Sequence, residues 1–144
     1  MGITAENLAS QYKITRQETD AFSLRSQQTW AKANEAGVFK AEIAPITLKV
    51  KGKELEMTED EHPKPKTTIE GLGKLGSVFK KEGTVTAGSA SGICDGAGAV
   101  IVASEDAVKK HNLKPLARIV AYGLAGVEPT IMGIGLVHIL KNFA

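Results

Sequence analysis

The chain reads as an α/β protein, and three observations predict that class. A Thr-x-x-Glu box at residues 15–18 opens a long helical stretch, two β-branched alternating segments follow between residues 42 and 57, and residues 97–122 run strand, helix, strand. With 144 residues, 42% of them apolar and 24% charged, the chain has the size and balance of an ordinary globular domain. The strand–helix–strand run forms the layered part of this expectation, and the hairpin with the charged loop after it is an excursion from the layers.

Each element has a local signal. Thr4 is placed to cap a short helix over residues 5–12, and the box at Thr15 and Glu18 starts a second that runs to about Ala36, where Gly37 is the stop. Phe22, Ser26, Trp30 and Ala33 fall on one face of that helix at helical spacing and read as a core stripe. The segments EIAPITLKV and KELEM, parted by Lys51-Gly52-Lys53, predict a hairpin with one wet face. Two prolines and dense charge make residues 59–66 an extended surface loop, and a short helix over about residues 69–75 follows, capped by Thr67 or Thr68. Residues 97–103 read as a buried strand of small apolar residues, Ser104 as the cap of a helix over 105–111, and residues 116–122 as another strand.

Composition removes several classes of function. A formal charge of +2 with seven aromatic residues and no long basic cluster speaks against nucleic acid. One cysteine, Cys94, excludes an intramolecular disulfide framework and a Cys-based zinc site, and points to a reducing compartment. No stretch has the length of a transmembrane helix, and the first twenty residues show neither a signal peptide nor an Arg-rich targeting pattern. Met1-Gly2 opens like a myristoylation site, but Glu6 stands where that motif needs Ser or Thr.

The densest local signal is GTVTAGSASGICDGAGAVIV, residues 83–102, with five glycines in twenty positions. It lacks the Lys-Ser/Thr ending of a P-loop, and neither it nor MGIG at 132–135 has the third glycine of a dinucleotide fingerprint, so ATP and NAD fit it poorly. Two readings stand side by side: a ligand wall, or glycines that permit a close strand-to-helix turn. Cys94 with His62, His111 or His138 would make a Cys–His pair, but His62 lies in the charged loop, His111 ends a surface helix, and the small residues around Cys94 suit a buried packing thiol. Glu59-Asp60-Glu61 reads as a solvated turn rather than a cation site. Lys64, Lys66, Lys74, Lys80 and Lys81 against the single acid Glu70 give a local positive excess just before the glycine run, suited to steering a polyanionic small molecule. On residues alone, the sum is an α/β ligand-binding domain of open specificity.

A sharper reading comes from motif order. MGITAENLA, SQQTWAKANEAGVF, the pair Lys74-Leu75, GTVTAGSASG, DGAGAVIVASEDAVKKHN, PLARIV and MGIG together resemble the thiolase family over about residues 1–135. The resemblance implies a thiolase-like layered α/β fold with an inserted loop domain of helices and a β-hairpin. Residues 1–78 would be the loop domain and its approaches, 79–114 the end of the first core half, and 115–144 the start of the second. The stretch 136–144 departs from the family pattern, which marks a truncated, alternatively spliced or mispredicted product. The family transfers acyl groups in fatty-acid β-oxidation, cleaving a 3-ketoacyl-CoA through a cysteine thioester that a second CoA attacks. By resemblance the placement is mitochondrial, CoA and acyl-CoA are substrates with no resident cofactor or metal, and the partner is a second copy or a full-length thiolase.

None of the family's catalytic positions is matched in this chain, so the resemblance implies no catalytic residue and an isolated chain without activity. Cys94 occupies a position where the family often has Asn or Ala. What the resemblance carries over is part of a CoA site. Ser91 matches the serine that binds pantetheine, and Leu75, Phe79, Ala87 and Met132 match apolar residues of the same tunnel. Ser89 replaces the usual Asn of that turn. Lys64 stands where an Arg commonly stacks on the adenine, keeping the charge but losing the flat surface, and Thr67 matches a hydroxyl position near the nucleotide. A non-catalytic CoA-binding or thiolase-interacting module is the alternative.

Overall fold

The structure of the protein is a computed structural model that describes residues 1–140 and divides the chain into two units, Met1–Gly92 and Ile93–Ala144. The expected tail at 136–144 is therefore described only to Leu140, with 141–144 outside the described residues.

The first unit begins with helix α1 (Gly2–Tyr12), which starts earlier than the sequence predicts because Met1, not Thr4, occupies the cap position. Thr4 Oγ1 instead donates back to the Met1 carbonyl at 2.6 Å. Helix α2 (Arg16–Glu35) begins as expected: Thr15 accepts from the Glu18 amide while the Glu18 carboxylate accepts from the Thr15 amide at 2.7 Å. The Thr15 hydrogen bonds hold the Glu18 carboxyl below its ordinary value. Gly37 ends the helix in the left-handed region (φ 73°) and leads into a 3-10 turn, Val38–Ala41.

Strands β1 (Ile46–Val50) and β2 (Lys53–Met57) pair antiparallel, with Leu48 opposite Leu55 and Ile46 opposite Met57. Lys51 (φ 50°) and Gly52 (φ 79°) both take the positive φ that a two-residue type I′ turn requires. Ile46, Leu48, Val50 and Leu55 remain exposed, so the apolar face as well as the charged one meets solvent. Helix α3 (Ile69–Gly73) is capped by Thr68, whose hydroxyl accepts from the Gly71 amide at 3.1 Å.

Among the described residues the buried interior is small and mostly polar. Ala9 and Leu72 are its apolar members, and Glu6, Asp20, Ser23 and Thr86 its polar ones. The predicted core stripe on α2 is corrected by the structure: Phe22 is 64% exposed, with Arg25 stacked 4.9 Å over its ring, and Trp30 is half-buried against Phe39, ring centroids 6.3 Å apart.

In the second unit, helix α4 (Glu105–Lys110) is capped by Ser104 as expected, and its Glu105 pairs with Lys109 at 3.0 Å and Arg118 at 3.4 Å. A 3-10 segment (Pro129–Ile134) runs into α5 (Gly135–Leu140). The strands predicted over 97–103 and 116–122 are not formed: among the described residues the single sheet is β1 with β2, and neither segment takes a regular element. A strand needs a second strand to take its backbone hydrogen bonds, and a period-2 or apolar pattern cannot supply one. Their side chains stand in solvent, Val100 at 89% and Leu116 at 101% exposure. The same absence of a covering layer corrects Cys94, expected as a buried packing thiol and found free and exposed.

Candidate functional site

The glycine run enters the first unit as a closed turn. Thr86 is fully buried and forms an isolated bridge with Ser77, and the amides of Ser89 and Ala90 donate to its carbonyl at 3.2 and 2.9 Å. Ser89 Oγ accepts from the Thr86 amide at 2.9 Å, so the short hydroxyl serves the turn's hydrogen bonding. Gly88 donates to Thr86 Oγ1 at 3.2 Å, and a Cβ at Gly88 would lie 2.5 Å from Leu72 Cδ2 and 2.8 Å from Leu75 Cδ1. The turn therefore rests directly on the leucines of α3 and the residues after it.

Two buried carboxylates hold this wall. Glu6, on α1 and 3% exposed, accepts from the amides of Thr84 at 3.0 Å and Val85 at 2.8 Å and from the Thr84 hydroxyl at 3.2 Å. Burial pushes its pKa up, but those hydrogen bonds together with the charge of Lys80 outweigh burial and hold the carboxyl below its ordinary value. Asp20, on α2, accepts both oxygens' worth of hydrogen bonding from Arg16 Nε at 3.0 and 2.9 Å. Arg16 Nη2 in turn donates to the carbonyls of Leu72 at 2.7 Å and Leu75 at 2.9 Å, closing the C-terminal end of α3. Glu6 thus fixes the segment that leads into the turn, and Arg16 with Asp20 fixes the leucines beneath it.

The expected site residues distribute as follows. Ala87 lies in the turn and Ser91 just after it, both exposed. Leu75 packs beside Gly88, and Phe79 lies against Gly2 at the start of α1. Lys64 and Thr67 are brought together in the loop before α3, where the Thr67 hydroxyl donates to the Lys64 carbonyl at 2.6 Å. Met132 belongs to the second unit, on its 3-10 segment. Two open surface depressions lie elsewhere: one of 270 Å³ between Glu6, Lys13, Lys80 and Thr84, the other of 570 Å³ between Phe22, Trp30 and Phe39. Neither holds an expected site residue. Among the described residues no group of His, Cys, Asp and Glu is arranged to hold a metal ion, and no helix is long and apolar enough to cross a membrane.

Glu6, Arg16 and Asp20 carry no motif that singles them out from the sequence. A buried carboxylate is recognised by what surrounds it, and its partners here lie 78 and 79 positions away for Glu6 and 56 and 59 away for Arg16.

Comparison with known proteins gives this wall a family. The model of the thiolase N-terminal domain matches residues 1–106. The mitochondrial 3-ketoacyl-CoA thiolase of Mus musculus is 63% identical over 142 residues, 99% of this chain and 36% of its own length. The crystal structure of the human mitochondrial 3-ketoacyl-CoA thiolase superposes with a TM-score of 0.87 at 57% identity, across 99% of this chain and 37% of that one. A second structure of the human enzyme, in complex with CoA, superposes at 0.85 with 60% identity, across 98% of this chain and 35% of that one. The chain thus spans about a third of the length of these relatives. With a family model over residues 1–106 and solved thiolase structures superposing on almost all of it, the chain belongs to the thiolase family.

Proposed function

We propose that this chain is part of a 3-ketoacyl-CoA thiolase, an acetyl-CoA acyltransferase of fatty-acid β-oxidation, working in the mitochondrion and supplying one wall of the CoA site. The observation that carries the reading is 63% identity, over 99% of the chain, to a mitochondrial protein of that name. In this reading residues 1–78 are the loop domain and its approaches, 79–114 complete the first core half and 115–144 begin the second.

The chain's own contribution is binding and orientation. Ser91 offers a hydroxyl to the pantetheine arm, with Ala87, Leu75 and Phe79 as the apolar lining. Lys64 and Thr67 face the nucleotide end, where a lysine attracts phosphate as a point charge without stacking on adenine. Acyl transfer itself needs an activated thiolate, a base and an oxyanion site together, and the chain brings no such set into one place. Cys94 is exposed and takes no part.

Calorimetry with CoA tests the binding half. The wild-type chain is expected to release heat on titration and Ser91→Trp to release none, because the indole fills the space of the pantetheine arm. Equal heats would remove Ser91 from the site. Purified chain is expected to cleave no acetoacetyl-CoA, and CoA-dependent cleavage by it would overturn the non-catalytic assignment.

A second reading, association with a full-length thiolase, is favoured by the exposed apolar segments at 93–103 and 116–122. Co-elution of the chain with the full-length enzyme, with a changed thiolysis rate, supports it; separate elution removes it.

A further inference from the structure

We infer that Gln27 and His62 are positioning residues that latch the basic loop to the glycine run, so that Lys64 and Ser91 face one ligand. The inference rests on the proposed CoA reading for its ligand, and on the geometry alone for the latch.

The loop over residues 58–68 has two attachments besides its ends. Gln27, on α2, accepts a hydrogen bond from the Lys64 amide through Oε1 at 2.7 Å, across 37 positions of sequence. The His62 imidazole occupies the space that a side chain at Gly92 would need: a Cβ there would fall 2.6 Å from His62 Cε1, 2.8 Å from Nδ1 and 3.2 Å from Nε2. Gly92 directly follows Ser91, so the imidazole rests on the segment that bears the proposed pantetheine contact.

Between these two points the loop has little freedom. Pro63 and Pro65 flank Lys64 and restrict φ on both sides of it. Thr67 closes onto the Lys64 carbonyl through both its amide at 3.0 Å and its hydroxyl. Lys64 Nζ donates to the Glu61 carbonyl at 3.3 Å. A stiff loop held at residue 62 by a ring and at residue 64 by an amide has its lysine placed by side chains that themselves need touch no ligand. The geometry also assigns a reason for glycine at 92: any side chain there displaces the ring.

The test uses the whole chain, hydrogen exchange over residues 58–68, and calorimetry with CoA. Gln27→Ala and His62→Ala are expected to speed exchange in the loop and to weaken CoA about threefold to tenfold, the range of one modest contact. Gln27→Glu, which keeps the acceptor, and His62→Phe, which keeps a flat ring on Gly92, are expected to retain most of the affinity. Gly92→Ala is expected to weaken binding alone and to add nothing on top of His62→Ala, since both remove the same contact. Unchanged loop exchange in both alanine variants, or additive effects at 62 and 92, overturns the latch. Changed exchange in a wild-type chain that binds no CoA keeps the latch and removes the CoA reading instead.

Discussion

Glu6 accepts three hydrogen bonds from residues 84 and 85 while nearly excluded from solvent, and that single side chain joins α1 to the segment feeding the glycine turn. Replacing it by Gln turns one acceptor oxygen into a donor facing N–H groups, an unsatisfied arrangement that costs about 1–3 kcal/mol. Glu6→Gln is therefore expected to lower the urea midpoint of the first unit without changing the slope. The pH dependence follows from the direction of the shift. A carboxyl whose folded pKa lies below its ordinary 4.5 adds stability that is fully present above that value and is lost as pH falls through the lower, folded one. The wild-type chain should lose stability below about pH 4.5 more steeply than Glu6→Gln, and parallel curves would show that the carboxylate contributes no charge-dependent stability. Nothing around residue 6 announces this in the sequence, where Glu6 stands out only for failing a lipidation motif.

Elements were legible where their signals are local. The Thr15–Glu18 box, the Gly37 stop and the Ser104 cap each act within four residues and are found where the pattern places them, while the structure selects Thr68 over Thr67 as a cap and narrows the Lys51-Gly52-Lys53 turn to its first two residues. The strands at 97–103 and 116–122 were misread because strand formation is decided by a partner, and among the described residues none is present. The α2 stripe failed for the same reason: spacing put Phe22 and Trp30 on one face without showing what covers it. The proposed site at Ser91, Lys64 and their neighbours rests on motif order alone, whereas Gln27 and His62, with contacts across 37 and 30 positions, carry no local mark. The hairpin offers a test of local control. Its faces are both exposed, so pairing depends on the turn, and Gly52 at φ 79° is the residue that a Cβ would strain. Gly52→Ala is expected to cost about 1 kcal/mol and to reduce amide protection over residues 46–57 about fivefold. Protection elsewhere should be unchanged, and an unaltered hairpin would mean that the cross-strand pairs, not the turn, set its stability.

At the scale of the whole molecule, apolar surface outweighs apolar interior. The described residues bury two hydrophobic side chains, Ala9 and Leu72, while Ile93, Val100, Ile101, Val102, Leu116, Val120 and Leu124 stand largely in solvent. Hydrophobic burial is the dominant favourable term in folding, so a chain that leaves this surface wet is marginally stable by itself and gains by covering it. Backbone without helix or ladder hydrogen bonds also exchanges freely. Amides of residues 93–103 and 116–128 are therefore expected to exchange at nearly unprotected rates in the isolated chain, while those in the middle of α2 are slowed by its intrahelical hydrogen bonds. The isolated chain is further expected to bind a hydrophobic dye and to melt at low temperature. If a full-length thiolase covers these segments, adding it should restore protection to residues 93–103 and 116–128 and remove the dye signal. Strong protection of both segments in a monodisperse monomer would show that they are paired within the chain, and would end the argument that they await a partner.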